Sequence, residues 1–172
     1  MRSFTLLIAL ALCGISQGTA SAQTNLVASL GKLYGGNVQT SGKSYSIAIG
    51  GSGAHSIGSE LEYSQTSHMT DAAGNESKVL SLMASVMAAG HAGPVRPYGV
   101  FGYGFIRQRT EASTGFVLSN LSNNDVGYNV GAGVTYKFSR GAGVRVDLRH
   151  FKVRKADGLS FQRLMVGMVL GG

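Results

Sequence analysis

The sequence predicts an all-β chain whose eight antiparallel strands run up and down and close into a barrel. Three observations carry that prediction. The stretch Gly127 to Phe151 alternates residue by residue: Tyr128, Val130, Ala132, Val134 and Tyr136 interleave with Gly127, Asn129, Gly131, Gly133 and Thr135, and Val144, Val146 and Leu148 interleave with Arg145, Asp147 and Arg149. Period-two alternation is the signature of a strand, because successive side chains leave opposite faces of a sheet. Segments of this kind recur along the chain, and short connections alternate with longer polar ones. After the first residues no stretch carries a convincing helical period.

The N-terminus is set apart from this pattern. Met1-Arg2-Ser3 gives a positive start, Phe4 to Ile15 an apolar run and Ala20-Ser21-Ala22 a small-residue cleavage site, so residues 1–22 read as a secretory signal peptide cut after Ala22. The run is too short for a spanning helix, which needs about 20 apolar residues. Leu12 before Cys13 is unlike the small residue that lipoprotein signals carry there. The expected domain is therefore 23–172. It keeps 14 of the 15 Lys and Arg, Arg2 being lost, against 8 Asp and Glu, a formal charge of +6. The single cysteine leaves with the signal, so the exported chain has no disulfide and relies on packing and backbone pairing. With 44% hydrophobic residues and 26 glycines, the length suits one compact unit.

Strands are expected near 27–38, 44–52, 56–66, 78–90, 95–107, 125–138, 143–152 and 161–170. The connections are then Gln39 to Lys43, Gly53 to His55, Ser67 to Ser77, His91 to Pro94, Gln108 to Asn124, Ser139 to Ala142 and Val153 to Ser160. In an up-and-down barrel, odd connections lie at one end and even ones at the other. Short turns at one end and long loops at the other are the habit of membrane barrels, and here the first loop alone is shorter than that habit prefers.

Alternation does not say which face is inside. A soluble barrel turns Val144, Val146 and Leu148 into its core, whereas a membrane barrel turns them to lipid and keeps polar and small residues within. The glycines favour the second arrangement. Gly127, Gly131 and Gly133 share one face, as do Gly102 and Gly104 opposite Phe101, Tyr103 and Phe105. Glycine on a solvent face weakens a strand, but inside a narrow barrel it makes room for long charged neighbours. Tyr128, Tyr136 and Phe138 lie near strand ends, where interfacial aromatic girdles are expected. Ordinary cross-strand packing of aromatics in a soluble sheet is the alternative.

PYGVFGYGF at Pro97 to Phe105, followed by GYNVGAGVTYKF and GVRVDLRHF, resembles the second half of the small outer-membrane β-barrel family, which includes opacity-type proteins and the transmembrane domain of outer membrane protein A. SIGSELEYS, Ser56 to Ser64, resembles that family's acidic strand. The resemblance implies a transmembrane barrel in the outer membrane of a diderm bacterium, with a structural or surface-interaction role. Such barrels commonly finish on an aromatic residue, whereas this chain ends Met168-Val169-Leu170-Gly171-Gly172.

With that face inside, the lumen receives Glu60, Glu62, Lys137, Arg145, Asp147, Arg149 and Arg163. Buried charges must pair, and eight strands enclose only enough space for side chains. The expected lumen is a filled salt-bridge core with no open pore and at most a small gated conductance; an ion path or proton relay is the competing reading.

Specific activity belongs to the loops. Phe116, Val117, Leu118 and Leu121 in the third loop suit either a binding tip or a cover over the barrel mouth. Arg107, Arg109, Lys152, Arg154 and Lys155 make the outer end basic, suited either to the phosphates of lipopolysaccharide or to a solvated basic loop with no particular partner. The expected partners are outer-membrane lipid and lipopolysaccharide, with host or cell-surface ligands at the loops. Nucleic acid is disfavoured by export and by the lack of one concentrated basic element.

Catalytic signals are thin. Ser67, His68 and Asp71 fall together, yet the lipid A deacylases among small barrels are similar to one another in a His-x-Ser pair with a Glu, of which His68-Met69-Thr70 is a poor echo. His55, His68, His91 and His150 lack metal-ligand spacing, and the Gly-Ala-Gly stretches lack the strand-then-helix context of a nucleotide loop. No catalytic residue, cofactor or metal is assigned. Two other classes stay open: a secreted or periplasmic soluble barrel binding an apolar ligand against Val130, Val134, Val144 and Val146, and a lipid A-modifying enzyme.

Overall fold

A computed structural model describes residues 23–36, 42–52, 56–70, 76–111, 121–154 and 159–171, with side chains at some outer strand tips left out. It contains eight strands: β1 Gln23–Tyr34, β2 Gly42–Ser52, β3 Ile57–Thr70, β4 Glu76–Ala89, β5 Val95–Glu111, β6 Leu121–Lys137, β7 Ala142–Val153 and β8 Ser160–Leu170. Each pairs antiparallel with its chain neighbour, and β1 closes on β8, with Leu30 opposite Val166. Closure removes both sheet edges, so the wall leaves no strand unpaired.

The expected signal peptide lies outside the described residues. The strand boundaries move in an informative direction. β1 runs from Gln23 to Tyr34, not 27–38, because Gly35 and Gly36 take positive φ angles of 69° and 66° that end it. The first connection is therefore residues 35–41, longer than the sequence suggested. β3 and β4 extend over much of the stretch expected as the second long loop, and β5 and β6 over much of the third. Polar composition reads as loop, but cross-strand backbone pairing carries the ladder on through Lys78↔Arg109 and Thr110↔Leu121.

The face question is settled by exposure. Leu30, Tyr45, Ile47, Val86, Phe101, Val130, Val146 and Val166 all point outward, Leu30 being 64% exposed, while Glu60, Glu62, Arg145, Asp147, Arg149 and Arg163 are buried. Val130, Val134 and Val146 stand on the outside and Val144 is half-exposed, so they form no internal cavity for an apolar ligand. Tyr34, Tyr45, Tyr63 and Tyr103 lie toward the outer part of this apolar wall, and Tyr136 and Phe138 at its other end. No helix among the described residues is long and apolar enough to cross a membrane, so the crossing elements are the strands.

The lumen is layered, which alternation by itself did not reveal. Toward the long-loop end, Leu33, Val79, Met83, Ile106, Phe151, Val153 and Phe161 pack into one buried apolar cluster. Phe151 and Phe161 stack with ring centroids 4.9 Å apart. A hydroxyl layer adjoins it, where Thr66 donates to Ser44 at 3.0 Å and Ser64 meets Ser81 at 2.7 Å. The charged layer follows, toward the short-turn end. The barrel is thus closed by an apolar plug above a polar belt.

Phe151 is fully buried at the junction of plug and belt. Phe151→Ala is expected to lower unfolding stability by about 3–5 kcal/mol, measured as the shift in urea midpoint of the folded barrel in detergent micelles.

Candidate functional site: the charged belt and the basic rim

The belt is built across the barrel. β3 and β7 are four strands apart in an eight-strand ring, so they face each other over the lumen. Glu60 and Glu62 enter from β3, and Arg145, Asp147 and Arg149 from β7, at alternate positions of each strand. Arg145 pairs through Nη1 with Glu60 Oε2, and its Nη2 donates to Glu60 Oε1 at 3.3 Å. Arg149 Nη2 donates to the same Glu60 oxygen at 2.7 Å, and Nη1 lies 3.7 Å from Glu62 Oε2. Arg163, from β8, donates to Glu62 Oε1 at 2.5 Å.

Asp147 completes the set through Oδ2, which receives Arg145 Nε at 3.1 Å and lies 3.4 Å from Arg149 Nη2. Three guanidiniums therefore alternate with three carboxylates. Charge balance is what makes such burial tolerable, since an isolated ion in this environment costs several kcal/mol. Forked guanidiniums suit the task because each spans two carboxylates at once.

Aromatic rings seat both ends of the belt. Tyr98 donates its hydroxyl to Asp147 Oδ2 at 3.1 Å and accepts from Arg145 Nε at 2.5 Å, with the Arg145 guanidinium 4.6 Å from its ring centre. Arg163 lies 4.7 Å over the Phe151 ring, joining belt to plug. Tyr98 was not among the residues expected in the lumen, although its parity with Gly102 and Gly104 places it there. Gly131 is required for space: a Cβ there would lie 2.8 Å from the Cγ of Arg149.

Lys137 departs from the expected network. It shares the inward parity but is the last residue of β6, half-buried, and makes no ion pair with the three carboxylates. Distance along the strand, not orientation, keeps it out.

The outer rim differs from the expected list in its members. Lys152 is exposed on the outer face of β7, opposite Tyr128 and Ser160, and Arg154 is exposed just beyond it with its N–H bonded to Val126 O at 2.9 Å. Arg107 is half-buried near the outer end of β5 and engaged with neighbours. The Arg109 side chain and Lys155 lie outside the description. The structure adds Lys32 and Lys43, directly opposite each other on β1 and β2 and both exposed. They are eleven positions apart in the chain, so only register brings them together.

Of the three catalytic candidates, the side chain of Ser67 alone is among those described. Ser67 is half-buried on β3 opposite Lys43, while the His68 side chain and Asp71 lie outside the description. His91 meets Ser56 and His150 meets Ser160, each at 3.5 Å and on different strands' surroundings. Among the described residues, no group of three or more His, Cys, Asp or Glu could hold a metal ion.

A closed barrel with an apolar exterior and a plugged, charge-paired interior is a transmembrane β-barrel. The comparisons agree: residues 5–170 match the model of the outer membrane protein beta-barrel domain, and the chain belongs to that family and to the outer membrane. Its fold is similar to that of Neisserial surface protein A, with a TM-score of 0.71 at 17% identity over 91% of this chain and 100% of that one. It is also similar to the N-terminal β-barrel domain of Pseudomonas aeruginosa OprF, with a TM-score of 0.60 at 16% identity over 90% and 100%. Ail, the attachment invasion locus protein of Yersinia pestis, gives 0.60 at 13% identity over 89% and 99%. No curated protein sequence matches the chain.

Replacing Arg163 by Met leaves Glu62 facing only Arg149, and is expected to cost about 3–5 kcal/mol. Adding Glu62→Gln should restore part of the loss. A double-mutant cycle on urea midpoints should give a Glu62–Arg163 coupling of about 0.5–3 kcal/mol; additive losses would show that the pair does not act as a pair.

Proposed function

We propose that this barrel is a non-catalytic surface-interaction protein whose outer rim holds the phosphates of lipopolysaccharide and whose outer strand tips present the connecting loops to further ligands. The observation that carries the reading is the opposed pair Lys32 and Lys43 on the outward wall. Like charges directly across a strand pair destabilise it in isolation. A phosphate placed between them converts that repulsion into two charge-assisted hydrogen bonds. Lys152 and Arg154 extend the same chemistry at the outer end of β7, and the expected Arg107, Arg109 and Lys155 belong to the same end by sequence position.

The plug and belt support a closed scaffold, which directs function to the rim. β5 and β6 have 17 residues each, against the roughly 9–11 that a tilted strand needs to cross the hydrocarbon. Their excess falls at the outer end, so the strand tips at Glu111 and Leu121 stand beyond the membrane surface. Ail was also crystallised with the heparin analogue sucrose octasulfate. A sulfated host glycan at the same basic rim is therefore the second reading, and it draws on the same cations.

The outer membrane enzyme PagL shares the fold, with a TM-score of 0.51 at 15% identity. We read the present chain differently, because Ser67 sits beside a lysine on the barrel wall and no nucleophile–base pair is held in place by a third group among the described residues. Ser67→Ala and His68→Ala are expected to leave lipid A acylation in the host membrane unchanged, as read by mass spectrometry.

For the rim, the expected outcome is that Lys32→Gln with Lys43→Gln lowers co-purifying lipopolysaccharide severalfold while the barrel keeps its heat-modifiable mobility on gels. Replacing Lys152, Arg154 and Lys155 by Gln should lower it further. Unchanged lipopolysaccharide in all five positions would overturn the reading. In planar bilayers the wild-type chain should show no porin-scale conductance.

A further inference from the structure

The ion-pair belt is balanced in formal charge: Glu60, Glu62 and Asp147 are matched by Arg145, Arg149 and Arg163. The other carboxylates beyond residue 22 are Asp71, Glu76, Glu111, Asp125 and Asp157. Glu76, Glu111 and Asp125 fall at or near the outer end, on strand tips, and Asp71 and Asp157 lie outside the described residues. Among the described residues, the opposite end, where the family's short turns face the periplasm, carries cations and, beyond the belt itself, no Asp or Glu side chain.

Two of those cations turn inward. Arg96 is the second residue of β5, opposite Thr135, and Lys137 is the last of β6, its N–H bonded to Pro94 O at 2.9 Å. Both are half-buried. They line one cavity of about 70 Å³ together with Thr135 and the Arg145–Glu60 pair, and with the apolar Val27, Met87 and Val169. Gly50, Gly51 and Gly58 line it as well and take up little of its volume. Arg140, exposed between β6 and β7, adds a third positive charge at the same end.

We propose that this periplasmic vestibule binds a small oxyanion, a phosphate or carboxylate group, between Arg96 and Lys137. Two half-buried cations near the already paired Arg145 guanidinium repel one another, and an anion between them offsets that repulsion. The Arg96 fork can hold two oxygens side by side, and the Lys137 ammonium supplies a further donor to the same group. The cavity has room for about two water volumes, which suits one phosphate or carboxylate head and excludes a larger ligand's body. Membrane phosphates on the outer wall do not reach it, because both side chains belong to the lumen face. The occupant is a periplasmic solute or the anionic end of a periplasmic polymer. The belt behind it and the plug beyond make the vestibule a blind pocket, so the anion binds without being conducted.

The test is calorimetric titration of the full chain, folded in zwitterionic detergent, with inorganic phosphate and separately with acetate at fixed ionic strength. Saturable one-site binding of either anion is expected. Arg96→Gln with Lys137→Gln should weaken it at least tenfold, with folding checked by unboiled gel mobility. Should the double variant fail to fold, Arg96→Lys keeps the charge and loses the fork, and should weaken binding severalfold. Saturation by phosphate alone would identify a phosphate site, and by acetate as well a general oxyanion site. Absence of saturation with both anions, or binding unchanged in the folded variant, would overturn the proposal.

Discussion

Hydrocarbon offers no hydrogen bonds, so every backbone N–H and C=O that crosses a membrane must be paired within the protein. For a chain of strands that requirement has one solution, a sheet closed on itself. The pairing of β1 with β8 is therefore the contact on which the other features depend. Once it forms, the wall has an outside that must be apolar and an inside too narrow to be left empty. The valines and tyrosines of the alternating strands meet the first demand, and the long charged and aromatic side chains meet the second.

The interior meets its demand in two different ways. At the outer end it is filled as a soluble core is filled, with leucine, methionine and stacked phenylalanines that leave no polar group in want of a partner. Deeper in, it is filled by guanidiniums and carboxylates that reach across from opposite walls. The second solution costs desolvation and requires every charge to be matched, but it ties β3 to β7 and β8 directly, which no wall hydrogen bond can do. Arg163 over Phe151 is where the two solutions join.

The family relationship accounts for the closed wall, and loops are where specific contacts generally lie. At identities of 13–17% the relatives share the fold and little side-chain detail. Within this chain the charges are unevenly placed: three carboxylates are buried in the belt, and described cations stand toward both mouths.

The sequence by itself determined the barrel, the strand count and which residues share a face, because period-two parity is a local property and survives without knowledge of partners; which face lies inside was favoured by the glycines and settled by exposure in the closed barrel. Parity also carries Glu60, Glu62, Arg145, Asp147, Arg149 and Arg163 inward, though it says nothing of which charges meet. That was decided by tertiary structure, since Glu60 and Arg145 are 85 positions apart and only closure sets β3 opposite β7. Parity placed Lys137 with them, but depth along the barrel, which depends on register and on strand ends, removed it to the mouth. The apolar plug, the Lys32–Lys43 pair and the extension of β5 and β6 past their expected ends were invisible for the same reason: each is a relation between strands, fixed by how far one slides along its neighbour before the ring closes.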